Sequence, residues 1–81
     1  AISTWSKYLA SKTTDKTLLK QYLVAAAFDE NDNLISHEDI RNYAFILERM
    51  GEKEKAASYI KLADKKEAEA KAKLESLLKG L

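Results

Sequence analysis

The sequence has no cysteine and no proline, and its 81 residues include only two glycines, Gly51 and Gly80. Without thiols there is no disulfide and no thiolate metal site, so packing alone must hold the fold. Two isolated glycines cannot make a glycine-rich phosphate loop, and one histidine, His37, leaves no second imidazole to share a metal. No stretch of about 18 apolar residues is present, and no charged-then-apolar leader can be read in the chain as given. A membrane span and an export signal are therefore not expected, which favours a cytoplasmic setting. The chain opens at Ala1 without methionine, as a processed protein or an excised domain would.

Charge of one sign is also lacking. The net charge is +1, yet its distribution along the chain is uneven. The first segment carries Lys7, Lys12, Lys16 and Lys20 against Asp15 alone. The middle carries Asp29, Glu30, Asp32, Glu38, Asp39 and Glu48 against Arg41 and Arg49, and the final third mixes both signs. Such a dipolar pattern disfavours a dedicated polyanion binder.

With strand-like alternation absent and alanine, leucine, lysine and glutamate abundant, the chain reads as all-α, a single domain with a small core. Four helices are expected, at about 4–11, 15–28, 37–50 and 52–79. The first would turn Trp5, Tyr8 and Leu9 inward. Thr13 or Thr14 would cap the second, whose apolar side is Leu19, Tyr22, Leu23, Ala26 and Ala27, and the polar run from Asp29 to Asn33 would end it. Ser36 is a good N-cap for the third, with Glu38 and Asp39 in its positively polarised first turn. Tyr43, Ala44, Phe45, Ile46 and Leu47 make that helix apolar all round, which places it centrally between the second and fourth. Gly51 would stop it in a left-handed turn.

The fourth helix is the long one. Ala56, Ile60, Ala63, Glu67, Ala70, Leu74, Leu77 and Leu81 recur at alternating steps of four and three, the spacing of one continuous face. At 1.5 Å per residue it would be roughly 40 Å long, more than so small a core easily covers.

Over residues 37–70, Ala44, Leu47, Gly51, Ala56, Ile60 and Ala63 resemble a tetratricopeptide repeat, with small residues in both helices and glycine at the turn. The resemblance implies a close antiparallel helical hairpin. Ile40 stands where that repeat often has tryptophan and Ala68 where it usually has proline, so the helix can run on to Lys79. Shifting the pattern back by one repeat length puts Tyr22 where a small alanine belongs, so there is one hairpin and no array. A second resemblance, of residues 28–40 to a calcium-binding EF-hand loop, implies an ion site. It lacks the required residues: counted from Asp29, the glycine position is Leu34 and the bidentate glutamate position is Ile40.

No metal, cofactor or enzymatic activity is expected. His37 falls in a first helical turn, where the dipole disfavours its charge, and reads as an exposed helix-start residue. The function these residues favour is a helical protein–protein interaction module, acting as adaptor, regulator or assembly subunit. Its partner-binding residues would be Ala70, Leu74, Leu77, Leu78 and Leu81, and its partner a second protein or a copy of itself. The competing arrangement folds the first helix back over Leu74 to Leu81. An alternative function is nucleic-acid binding through Lys12, Lys16 and Lys20, with Trp5, Tyr8 and Tyr22 as stacking faces. The acidic middle segment counts against it.

Overall fold

A computed structural model describes residues 2–32 and 34–80. The fold is all-α, with helices α1 (Ile2–Ser11), α2 (Lys16–Ala25), α3 (His37–Arg49) and α4 (Lys53–Lys79). α3 is the centre and touches the other three. α4 packs along it most extensively, α1 lies on another side, and α2 closes over α1 and α3. α1 and α4 do not touch among the described residues.

The helix ends follow local chemistry. Asp15, not Thr13 or Thr14, caps α2: its Oδ1 accepts from the N–H groups of Thr17 at 2.8 Å and Leu18 at 3.3 Å. A carboxylate satisfies those donors and also answers the positive helix end, which a hydroxyl cannot. Thr13 is relegated to accepting from the Asp15 N–H at 3.1 Å. Ser36 caps α3 as expected, its Oγ accepting from the Glu38 N–H at 3.1 Å. Gly51, at φ 88°, is the residue after the α3 C-cap and lets the chain reverse into α4.

α2 stops at Ala25, three residues short of the expected end. Phe28 leaves the helix to meet Tyr43 and Tyr59 edge-on, with ring centroids 5.3 and 5.8 Å away, while Tyr43 and Tyr59 meet at 5.0 Å. The two edge-to-face contacts that Phe28 gains there offset the loss of a last turn of helix.

Two small cores lie on either side of α3. Ala10, Leu19, Ala26 and Ile46 form one, and Ala44, Leu47 and Ala56 the other. The α3–α4 seam is a close antiparallel hairpin using Ala56 and Ala63, both buried. Ile60 is not its large residue: it lies at the margin, 37% exposed, and Tyr59 takes the seam position instead. The stripe is therefore rotated slightly from its sequence reading, because the ring cluster with Phe28 and Tyr43 holds Tyr59 inward.

α1 is turned the opposite way from expectation. Ser3, Ser6 and Ala10 are its buried residues, while Trp5 is 63% and Tyr8 52% exposed. Asn42, buried on α3, donates to Ser3 Oγ at 3.2 Å, and Ser3 in turn donates to Asp39. A buried asparagine needs a partner, and small hydroxyl-bearing residues let α1 approach closely enough to supply one. Trp5 would hold the helices apart and leave Asn42 unsatisfied.

Candidate protein-interaction surface

Among the described residues, the last side chains of α4 that are ion-paired to the bundle are Asp64 and Glu67. The Arg41 guanidinium donates to Asp64 at 2.7 Å and to Glu67 at 3.1 Å. Hydrogen bonding to Asp64, with the charges of both acids, holds this arginine above its usual range. Arg41 lies only one turn into α3, so α4 is already leaving the bundle here. Residues 68–80 are all exposed.

At 1.5 Å per residue the helix from 68 to 79 projects about 17 Å beyond that clamp. The dimensions of the molecule, 51 × 24 × 21 Å, reflect this arm. Its radius of gyration is 14.4 Å, against about 11.7 Å for a compact chain of this length. Leu74, Leu77 and Leu78 are 58, 62 and 60% exposed, and Ala70 is exposed on the same side. Leu81 lies outside the described residues. α1 does not fold back over the arm.

At about 100° per residue, Leu77 and Leu78 lie on either side of Leu74 within about 60°, forming one apolar face. Lys71 borders it on one side and Lys73 on the other. At the root of the arm, Lys66, Glu69, Ala70 and Lys73 line a shallow cavity of about 340 Å³ against Ile35, Ser36 and His37, the turn leading into α3. His37 is half-buried there, not exposed, and its Nδ1 is buried without a hydrogen-bond partner among the described residues.

A second exposed surface holds Trp5 and Tyr8, two of the three stacking faces offered for nucleic acid, on the side of α1 that was expected to face the core. On the outward side of α1, Trp5 and Tyr8 stack on each other with centroids 5.5 Å apart and planes 20° from parallel. Lys12 Nζ sits 5.4 Å from the Tyr8 ring. Ile2, 71% exposed, extends the same side. The signal that could have found it is the row Ser3, Ser6, Ala10, a small-residue stripe opposite the aromatic one.

The three candidate lysines are exposed but do not form one stripe. α2 begins at Lys16, so only Lys16 and Lys20 share that helix, and Lys12 belongs with the α1 surface. Tyr22 is half-buried against the core and presents no stacking face. Between α3 and α4, a cavity of about 450 Å³ is bordered by Leu23, Tyr43, Tyr59 and Leu62. Glu30 stands at its edge and accepts a hydrogen bond from the Tyr59 hydroxyl at 2.7 Å, which ties the α2–α3 connection to α4. That bond, together with burial and the Glu30 charge, pushes the Tyr59 phenol up to about 12. Among the described residues, no group of three histidine, aspartate or glutamate side chains could hold a metal ion, and no helix is long and apolar enough to cross a membrane.

Comparison with protein-family models, with curated proteins and with solved structures found no match.

Proposed function

We propose that this chain is a helical protein–protein interaction module whose working element is the projecting arm of α4, with Leu74, Leu77 and Leu78 as its contact residues and Ala70 allowing close helix approach. The observation that carries this reading is the exposure of all three leucines on one face of a helix that, among the described helices, touches only α3. Isolated exposed apolar residues are ordinary, but three on consecutive turns beyond the last tertiary clamp form a patch, and such patches mark association sites. Helix-in-groove or helix-on-helix binding is the mode that this spacing suits.

The test is the triple variant Leu74→Gln, Leu77→Gln, Leu78→Gln, which keeps helix propensity and removes the apolar face. Its thermal midpoint as a single chain should match the parent's within a few degrees. Loss of the fold in this variant would make the leucines intramolecular core and overturn the reading.

One observation favours a second reading. The stacked Trp5–Tyr8 pair beside Lys12 has the composition of a base-stacking platform for single-stranded nucleic acid. Trp5 is the sole tryptophan, so quenching of its fluorescence by a generic oligonucleotide at low salt, reversed by added salt, tests this directly. No quenching at low salt eliminates it.

A further inference from the structure

We infer that the groove between α2 and α4 binds a small organic monocation, an apolar body carrying one ammonium group, with Glu30 as its counter-charge and the Tyr43 and Tyr59 rings as its aromatic wall. The inference does not rest on the arm, which begins beyond the groove on α4.

The groove follows from the packing. α2 and α4 both lie on α3 but do not touch each other among the described residues. The gap is the cavity of about 450 Å³ described above, within the range of about 300–1,000 Å³ that small-molecule sites occupy. Its apolar surface comes from three helices: Leu23 on α2, Leu47 on α3 and Leu62 on α4. Leu47 is buried, and Leu23 and Leu62 are half-buried. An apolar body placed there is drawn out of water by three helices at once.

Charge then selects the head group. Glu30 has no ion-pair partner among the described residues. Its Oε1 accepts from the Tyr59 hydroxyl at 2.7 Å, which fixes where the carboxylate stands and leaves Oε2 to accept from a ligand. The phenol, pushed up to about 12, keeps its proton, so the carboxylate keeps its charge. Beside it the Tyr43 and Tyr59 rings meet at 78° with centroids 5.0 Å apart, forming an aromatic corner. Electron-rich ring faces attract a cation, and a held carboxylate repels an anion.

Lys55 also borders the groove and carries the opposite sign. It stands four residues before Tyr59, about 6 Å along α4 toward the Leu47 end. It is exposed, and among the described residues no ion pair holds it. A flexible, solvated ammonium of this kind fixes no anion. Its consequence is repulsion: a second positive charge at the far end of the ligand would meet Lys55. The groove therefore takes one charge and an apolar tail, not a polyamine.

The test is a titration of the full-length chain, followed by amide NMR at neutral pH, with three six-carbon probes: hexylammonium, hexanoate and hexamethylenediammonium. For ligands of so few atoms a dissociation constant of about a millimolar is expected. Hexylammonium should bind saturably, with the shifted amides lying along the groove at Leu23, Glu30, Tyr59 and Leu62. Hexanoate and the diammonium should bind several-fold more weakly. Glu30→Gln keeps an acceptor for the Tyr59 hydroxyl and removes the charge, so hexylammonium should weaken by about fivefold. Lys55→Gln should bring the diammonium toward the affinity of hexylammonium and leave hexylammonium no weaker. Hexanoate bound as tightly as hexylammonium, shifts scattered over the surface, no saturation in the millimolar range, or a Glu30→Gln variant of parental affinity would each overturn the inference. These outcomes leave the arm untouched, so the two readings fail separately.

Discussion

Exchanging the roles of Trp5 and Ser6 tests the orientation of α1 more sharply than any other pair of substitutions. Trp5 is 63% exposed and Ser6 3%. A tryptophan buries up to about 250 Å² when wholly covered, so the covered third of Trp5 is about 90 Å², or about 2 kcal/mol as an upper limit. Part of that cover comes from its own helical turn and survives truncation to alanine. Trp5→Ala should therefore cost about 1 kcal/mol, against 3–5 kcal/mol for a core tryptophan. Ser6→Leu forces a larger side chain into the α1–α3 contact and should cost about 1–3 kcal/mol through overpacking. With a whole-domain stability of about 4–12 kcal/mol expected for this length, both effects are measurable. Urea unfolding followed by helical circular dichroism gives the two free energies, at concentrations where the mass is that of one chain. The parent's tryptophan emission should resemble that of free tryptophan in water. A loss above 3 kcal/mol for Trp5→Ala, or a gain in stability for Ser6→Leu, would mean that α1 packs with its aromatic face inward and would refute the Asn42–Ser3–Asp39 argument.

Ile46 is fully buried, so Ile46→Ala should cost about 2–5 kcal/mol in the same assay. Gly51→Ala meets no atom within 4 Å but must adopt φ 88°, so its cost of about 1 kcal/mol should come from backbone strain alone. The Tyr59 phenol rises from 10.0 to about 12 in the fold, which favours the protonated form. Its contribution is complete below about pH 10 and is lost as pH rises through 12, because the unfolded chain releases the proton first. The full shift would correspond to about 2.7 kcal/mol, reduced to about 1 kcal/mol by solvent around a phenol at the surface. Unfolding free energies of the parent should therefore fall more steeply between about pH 10 and 12 than those of Tyr59→Phe, and equal slopes would refute the Glu30 contact.

What could be read from the chain alone divides along physical lines. The four helices, the central place of α3, the Ser36 cap and the left-handed Gly51 follow from local rules: apolar periodicity, side-chain acceptors at helix starts and the freedom of glycine at positive φ. The end of α2 and the Tyr59 register were not legible, because both depend on three rings meeting from separate segments. The orientation of α1 was not legible for a different reason. Periodicity points the apolar side of a helix toward the core, and the competing demand of a buried Asn42 for a hydrogen-bond partner is visible only once α1 and α3 are side by side. For the candidate contact residues, the exposure of Leu74, Leu77 and Leu78 depended on whether α1 would cover them, a question of tertiary arrangement that amphipathicity does not answer.

The polar α1–α3 seam and the uncovered arm of α4 are consequences of one choice. If α1 had turned Trp5, Tyr8 and Ile2 inward, the larger side chains would have pushed it off Asn42 and Asp39, and an apolar face would have been free to slide along the bundle toward the leucines of α4. Instead Ser3 bonds both Asn42 and Asp39. At the other end, Arg49 donates to the Thr13 carbonyl at 2.6 Å and fixes the α1–α2 connection. Pinned at both ends along α3, α1 cannot reach the arm. Hydrogen bonds that are directional and short in range thus decide where the apolar surface ends up. The chain gives up the burial of six large side chains, Ile2, Trp5, Tyr8, Leu74, Leu77 and Leu78, at about 1.5–3 kcal/mol for each one fully covered. The proposed association would cover the part of this surface on α4, and the α1 part stays the exposed Trp5–Tyr8 stack.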